Sequence, residues 1–109
     1  MPEKIIILIP VYNDAESLNI LLGKLQVALS HLKDTSLSVL LVNDGSTESL
    51  TISSNAGLPV KILHLHRNIG HQKAIAVGMA YINDNIEFDK LLVMDGDGED
   101  DPEDAAKLL

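Results

Sequence analysis

Asp95-Gly96-Asp97 directly follows an apolar run, Leu91 to Met94. Two carboxylates separated by one small residue can share the site of a hard divalent cation. Mg²⁺ or Mn²⁺ takes one or two protein carboxylates and completes its shell with water and phosphate oxygens. The competing role for acidic residues here is to favour a helix start near Pro102, which suits Asp100 and Asp101 better than the pair leaving the apolar run. An EF-hand loop is excluded, because Asp100 stands where its turn glycine would be and Ala106 where its closing glutamate would be. Asp44 closes a second apolar run. A carboxylate there can accept from a nucleobase ring N–H or a ribose hydroxyl, or it can serve the turn, since Asn43-Asp44-Gly45-Ser46 is favourable turn chemistry. Both readings stay open. Arg67-Asn68-Ile69-Gly70 precedes a helical pattern that Lys73 opens, and Arg67 is the sole arginine. Cations beside free helix N–H groups suit an anion, although a capped helix start with a glycine turn has the same sequence. His64 and His66 share a strand face but lack a third ligand, so they read as surface or partly buried imidazoles. His71 is ambiguous, and His31 reads as solvated helix surface. The chain contains neither a phosphate-binding P-loop nor a dinucleotide glycine fingerprint.

These residues need a frame that gathers them. Ile5 to Ile9 is an unbroken β-branched and leucine run, the pattern of a strand buried on both faces, and Pro10 is expected to end it. Asn13 with Glu16 has the spacing of a capping box. Leu18, Leu21, Leu22, Leu25, Leu29 and Leu32 follow at helical spacing. Leu37 to Val42 reads as a second strand. Thr47 to Asn55 carries a weak helical pattern, punctuated by Gly57 and Pro59. Val60 to His66 alternates, as a strand near a sheet edge does. Lys73 to Ile82 is alanine-rich and apolar on most sides, which predicts a well-buried helix. Leu91 to Met94 is a fourth strand, and Pro102 fits the first turn of a final helix. Strand and helix alternating in this way predict a Rossmann-like parallel sheet of about four strands with helices on both faces.

In such a sheet all C-terminal strand ends lie on one edge, where ligands bind. Here those ends carry Pro10, Tyr12 and Asn13; Asn43 to Ser46; Arg67, Asn68 and Gly70; and Asp95 to Asp97. The opposite ends carry only Glu3, Lys4, Ser36, Lys61 and Lys90. This asymmetry points to a binding edge. With strand order 3-2-1-4 and strands about 4.8 Å apart, Asp44 and Asp95 would lie about 10 Å from each other, a span that suits a nucleoside.

Composition narrows the partners. The net charge is −8, and Asp95, Asp97, Glu99, Asp100, Asp101, Glu103 and Asp104 supply seven of the sixteen acidic residues. Such a chain repels polyanions, so nucleic acid is not expected, whereas a phosphate compound could bind if a divalent cation reversed the local sign. With no cysteine there is no disulfide or thiolate chemistry. No apolar run approaches the roughly 18 residues of a membrane span, and Met1-Pro2-Glu3-Lys4 has no signal-peptide pattern. A cytoplasmic location is the expectation.

Four segments in order, IPVYNDAESL, LLVNDGST, HRNIGHQKAIAVGMAY and LLVMDGDGEDDPED, resemble the N-terminal half of family-two glycosyltransferases with the GT-A fold, nearest the dolichyl- or polyprenyl-phosphate sugar transferase branch. The resemblance covers nearly all of residues 1–109. It implies a nucleotide-sugar-binding part whose acceptor half and general base would lie beyond Leu109, so that this chain alone would bind but not turn over. Pro10, Tyr12 and Glu16 would surround the nucleobase and ribose, and Asp44 would bind the base or ribose. Gly70 and Lys73 would lie near the ribose and diphosphate. Asp95 and Asp97 match the D-x-D motif, with Asp97 on the metal and Asp95 on the ribose or a metal-bound water. The implied cofactor is Mg²⁺ or Mn²⁺, and the donor a UDP- or GDP-linked sugar. The implied acceptor is a polyprenyl phosphate or glycan, reached by an inverting transfer, with a full-length parent at the cytoplasmic membrane face. Apolar surface left open by the missing strands of the acceptor half would favour self-association. The chain departs from the family at Asn43, where an aspartate is common, and at Gly98, where an apolar residue is common.

Two other classes compete. A nucleotidyltransferase carries a glycine-rich, basic loop after its first strand, where this chain has Tyr12-Asn13-Asp14. A phosphoacceptor receiver module needs an acidic pair there and an aspartate after the third strand, where this chain has His66-Arg67-Asn68.

Overall fold

A computed structural model describes residues 2–32, 34–52 and 58–94. The described elements are β1 (Glu3–Val11), α1 (Ala15–Ala28), β2 (Thr35–Asn43), β3 (Val60–His64), α2 (His71–Asn85) and β4 (Lys90–Val93). All strand pairings are parallel and the order is β3-β2-β1-β4. The family-like arrangement expected from sequence is therefore present, an α/β Rossmann-like sheet of order 3-2-1-4 with helices on both faces. The expected final helix near Pro102 lies outside the described residues.

The side-chain alternation of β1 decides the layering. Ile7, Ile9 and Val11 join Val39 and Leu41 of β2 on one face and pack against Leu18, Leu21, Leu22 and Leu25 of α1. Ile6 and Leu8 join Leu40 and Val42 on the other face, against Ala74 and Ile82 of α2. A strand apolar at every position between Ile5 and Ile9 is thus covered on both sides.

Pro10 does not end β1. The strand runs on to Val11, paired with Asn43 of β2, while pairing with β4 stops at Leu8 and Val93. Even-numbered residues of β1 turn their backbone groups toward β4: Asp89 N donates to Lys4 O, and Met94 N donates to Leu8 O. Odd-numbered residues turn toward β2, as Asp44 N donating to Val11 O shows. Pro10 therefore withholds its missing N–H from the β4 side alone. The proline can donate nothing to the β1–β4 ladder beyond Leu8 and leaves the β1–β2 ladder intact.

Three further expectations are corrected. Asp14, not Asn13, caps α1, its Oδ1 accepting from Ser17 N at 3.3 Å. Asn13 takes a left-handed φ of 49° and points its amide elsewhere, so the helix starts one residue later and Glu16 closes no capping box. Described residues 47–52 form no helix, because Asn13 and Asn19 side chains take their backbone groups: Thr47 N and Glu48 N donate to Asn13 Oδ1, and Thr51 O accepts from Asn19 Nδ2. Finally, α2 buries only a narrow face, Ala74, Gly78 and Ile82, and leaves Met79 45% exposed. Small residues on that face let the helix sit low on the sheet. From α2, Tyr81 reaches out to Lys61 of β3, whose Nζ lies 5.0 Å from the ring centroid.

The closeness of α2 makes two glycines opposite in sign. A Cβ on Gly78 would lie 2.6 Å from Leu8 Cδ1 and 2.9 Å from Val42 Cγ2, whereas one on Gly23 of α1 would meet nothing within 4 Å. Gly23→Ala should therefore stabilise the chain by about 1 kcal/mol through helix propensity. Gly78→Ala should lose about 1 kcal/mol net, because overpacking outweighs the same propensity gain. Urea unfolding of both variants checks this; equal gains for the two would contradict the packing described.

Candidate functional site

The C-terminal ends of β1, β2 and β3 are joined by a continuous set of polar contacts. At their centre is Asp44, fully buried at 0% exposure. Its Oδ1 accepts from Ile69 N at 2.8 Å, and its Oδ2 accepts from Gly70 N at 3.1 Å and Asn68 Nδ2 at 3.0 Å. The same Asn68 amide also donates to Asp44 O at 3.2 Å. An ionised carboxylate taken out of water needs such donors, and bonds to charged acceptors are the stronger kind. In this conformation both oxygens face protein, so a direct contact with a base or ribose requires the 68–70 segment to yield.

Two glycines make this closure geometrically feasible. Gly45 has φ 69°, and a Cβ there would fall on the Arg67–Asn68 peptide. Gly70, the cap of α2, has φ 92° and ψ 154°, a region open essentially to glycine alone, and this turns its N–H toward Asp44. The loop after β3 is thereby pressed onto the turn after β2.

The neighbouring turn is fixed from the other side. Asn43 Oδ1 accepts from Ser46 N at 3.2 Å, leaving its Nδ2 to meet His64 Nδ1 at 3.1 Å. With Nδ2 as donor, His64 Nδ1 is the acceptor and its ring hydrogen sits on Nε2. Asn13 N donates to Ser46 Oγ at 2.9 Å, and Asn13 Oδ1 accepts from Thr47 N at 2.9 Å and Glu48 N at 3.1 Å.

The residues singled out in the sequence are distributed as follows. Pro10 is buried just past the last β1–β4 pair, and Tyr12, two residues on, is 40% exposed. Glu16 is exposed in the first turn of α1. Gly70 and Lys73 lie at the start of α2, with Lys73 and the preceding Arg67 exposed. No acidic residue occupies the first turn of α2. Cations placed at the positive end of a helix reinforce rather than offset its field, an arrangement suited to an anion. His66 is exposed beyond the end of β3. Asp95 and Asp97 lie outside the described residues. Met94, which precedes them, is buried with its N–H on Leu8 O, two residues from Pro10. Among the described residues no group of three or more His, Cys, Asp or Glu is placed to hold a metal.

Asn13 and Asn68 stand among the polar strand ends picked out in the sequence, but their role in tying the loops together is not readable there. The signal for it is a short amide one residue past Tyr12 and one before Ile69-Gly70, where it can bond backbone groups.

The profile described as "Glycosyl transferase family 2" matches residues 6–109, almost the whole chain. The chain belongs to glycosyl transferase family 2. Similar curated proteins include the undecaprenyl-phosphate 4-deoxy-4-formamido-L-arabinose transferase of Sodalis glossinidius, 33% identical over 112 residues, covering 98% of this chain and 33% of that protein. The proteins of the same description from Enterobacter sp. (strain 638) and Salmonella choleraesuis are 32% and 30% identical with the same coverage. This family 2 chain thus spans 33% of the length of those curated relatives. No helix among its described residues is long and apolar enough to cross a membrane.

The seating of Gly45 on the Arg67–Asn68 peptide gives a direct test. Gly45→Ala adds both a disfavoured left-handed residue and an overlap with backbone, so it should cost about 3 kcal/mol. A shift of the urea midpoint equivalent to under about 0.5 kcal/mol would mean that the two loops are not in contact.

Proposed function

We propose that residues 1–109 form the donor-binding part of a glycosyltransferase, which holds a nucleoside-diphosphate sugar for transfer to a polyprenyl phosphate or glycan acceptor. The observation that carries this reading is the end of the β1–β4 pairing at Leu8 and Val93, beside Pro10. It falls where the strand order reverses direction, since β1 is followed by β2 on one side and β4 returns on the other. Ligands of open parallel sheets bind at such a point. Here the seam is flanked by an exposed aromatic ring, Tyr12, and the family membership supplies the reaction class.

In this reading the nucleobase and ribose lie along Pro10, Tyr12, Glu16 and the Asp44 turn. The diphosphate lies toward Gly70 and Lys73, with Arg67 adding positive charge to the same end of α2. Asp95 and Asp97 follow the buried Met94 in the sequence. Their donor chemistry, two hard carboxylates one residue apart, fits Mg²⁺ or Mn²⁺. When bound, the cation would act as a Lewis acid, screening the diphosphate and stabilising the departing nucleoside diphosphate. The chain's own residues stack, orient and counter charge. The transfer is proposed to invert the anomeric carbon, with the general base in sequence following Leu109. The names of the relatives support undecaprenyl phosphate as the acceptor class. That acceptor in turn suits a whole protein working at the cytoplasmic membrane face. The outer edge of β4, where Val93 is 39% exposed, is the proposed surface for self-association.

The receiver-module alternative finds no support at the third strand, where Arg67-Asn68 folds onto Asp44 instead of presenting a carboxylate.

Isothermal titration of the chain with UDP and GDP, each with and without Mn²⁺, tests the proposal. Binding of one nucleotide should strengthen at least about tenfold with Mn²⁺, and Asp97→Ala should remove that gain. Lys73→Ala should weaken binding by about threefold to tenfold, as loss of one partly screened charge contact does. Affinity indifferent to both metal and Asp97→Ala would overturn the metal-dependent reading.

A further inference from the structure

Asn13 sits between the exposed Tyr12 and the cap of α1, in a backbone conformation that asparagine tolerates better than most side chains. Its amide bonds through both its oxygen and its nitrogen. Oδ1 accepts from Thr47 N, Glu48 N and Thr47 Oγ1, and Nδ2 donates to Thr47 Oγ1 at 3.1 Å. Its backbone N–H is held by Ser46 Oγ. These bonds join the loop after β1 to the loop after β2. The turn they grip is short: Gly45 N donates to Asn43 O at 2.9 Å and Ser46 N to Asn43 Oδ1. One residue back, Asp44 holds Ile69 and Gly70, and Gly45 bears on the Arg67–Asn68 peptide.

We infer that Asn13 is a positioning residue that makes the three loops at the C-terminal edge one ordering unit, so that the Arg67–Gly70 segment and the start of α2 depend on a side chain that does not touch them. A turn of four residues anchored at both ends transmits displacement, because the one residue between Ser46 and Asp44 is Gly45, which is itself seated on the Arg67–Asn68 peptide. Where it concerns affinity, the inference rests on the nucleotide-binding reading above. Its structural part stands apart from that reading. Loops that order together present Tyr12 and Lys73 in one fixed relation, which lowers the ordering cost of binding a ligand that spans them.

Two substitutions separate backbone from side chain. Asn13→Gly keeps the left-handed φ and removes every side-chain bond. Asn13→Asp keeps the acceptor for Thr47 N and Glu48 N and tolerates the same φ. Amide hydrogen exchange of the chain, followed by NMR, is the primary readout. In Asn13→Gly the amides of Thr47 and Glu48 should exchange faster, and those of Ile69 and Gly70, bonded to Asp44, should also accelerate by about tenfold. Asn13→Asp should return all four toward wild type. UDP or GDP affinity in Mn²⁺ should fall about tenfold in Asn13→Gly and recover in Asn13→Asp. If Asn13→Gly does not fold, Thr47→Val, which removes the hydroxyl bonded to both ends of the Asn13 amide, gives the exchange readout at Ile69 and Gly70. Acceleration confined to Thr47 and Glu48 would overturn the inference. If the wild-type chain binds neither nucleotide, the donor-binding reading fails while the exchange experiment still decides the role of Asn13.

Discussion

The arrangement of this sheet edge depends on how one buried carboxylate is satisfied. Asp44 emerges from a strand covered on both faces and has no access to water. An unpaired charge in that position would cost several kcal/mol. The donors that meet it come from a segment two dozen residues later in the chain, Asn68 to Gly70. Bringing them within hydrogen-bond distance forces the rest. The loop must lie directly on the Gly45 turn, which excludes a side chain there. Gly70 must rotate its N–H inward, which selects its φ of 92°. The start of α2 follows immediately, since Ala74 N already donates to Gly70 O. A single electrostatic requirement thereby sets where α2 begins and which way its N-terminus faces.

A second constraint acts by omission. The β1–β2 ladder continues to Val11 because odd-numbered residues of β1 supply it, and the β1–β4 ladder ends at Leu8 because the next residue that could extend it is Pro10. Proline in a central strand is ordinarily disfavoured for the hydrogen bond it cannot donate. Here the missing bond falls where the strand order reverses. Stability is given up at the rim, where the ladder was about to end, and not within the core formed by Ile7, Ile9 and Leu41.

Much of this was legible in the residues. The parallel order, both helices and the crowding of polar residues at one edge follow from apolar periodicity and from what closes each strand. The misreadings share a cause. Asn13 followed by Glu16 has the spacing of a helix cap, but its amide is drawn to Thr47 and Glu48, more than thirty residues away. The stretch after Gly45 has a weak helical pattern, but its backbone groups are claimed by Asn13 and Asn19. Local propensities of a kcal/mol or less yield to long-range bonds of similar size when several act together. The apolar character of α2 likewise predicted deep burial, whereas Gly78 lets the helix approach so closely that one narrow face suffices. Asp44 was equally readable as a turn former or a ligand. Only the distances to Ile69 and Gly70 show it engaged by protein on both oxygens.

The charge distribution ties these points to binding. A chain with a net charge of −8 repels a diphosphate at long range, although salt at physiological strength screens that repulsion beyond about 8 Å. What matters is the field within the last few ångströms. At the start of α2, Asp44 is enclosed and paired with three N–H donors, so little of its charge reaches the surface. Arg67 and Lys73 are exposed at the positive end of the same helix. Burying the acid therefore does two things with one group: it fixes the loop, and it removes the carboxylate that would oppose an anion there. Exposing Asp44 would loosen the loop and turn the local sign against a phosphate at the same time, so the architecture of this edge and its electrostatics stand or fall together.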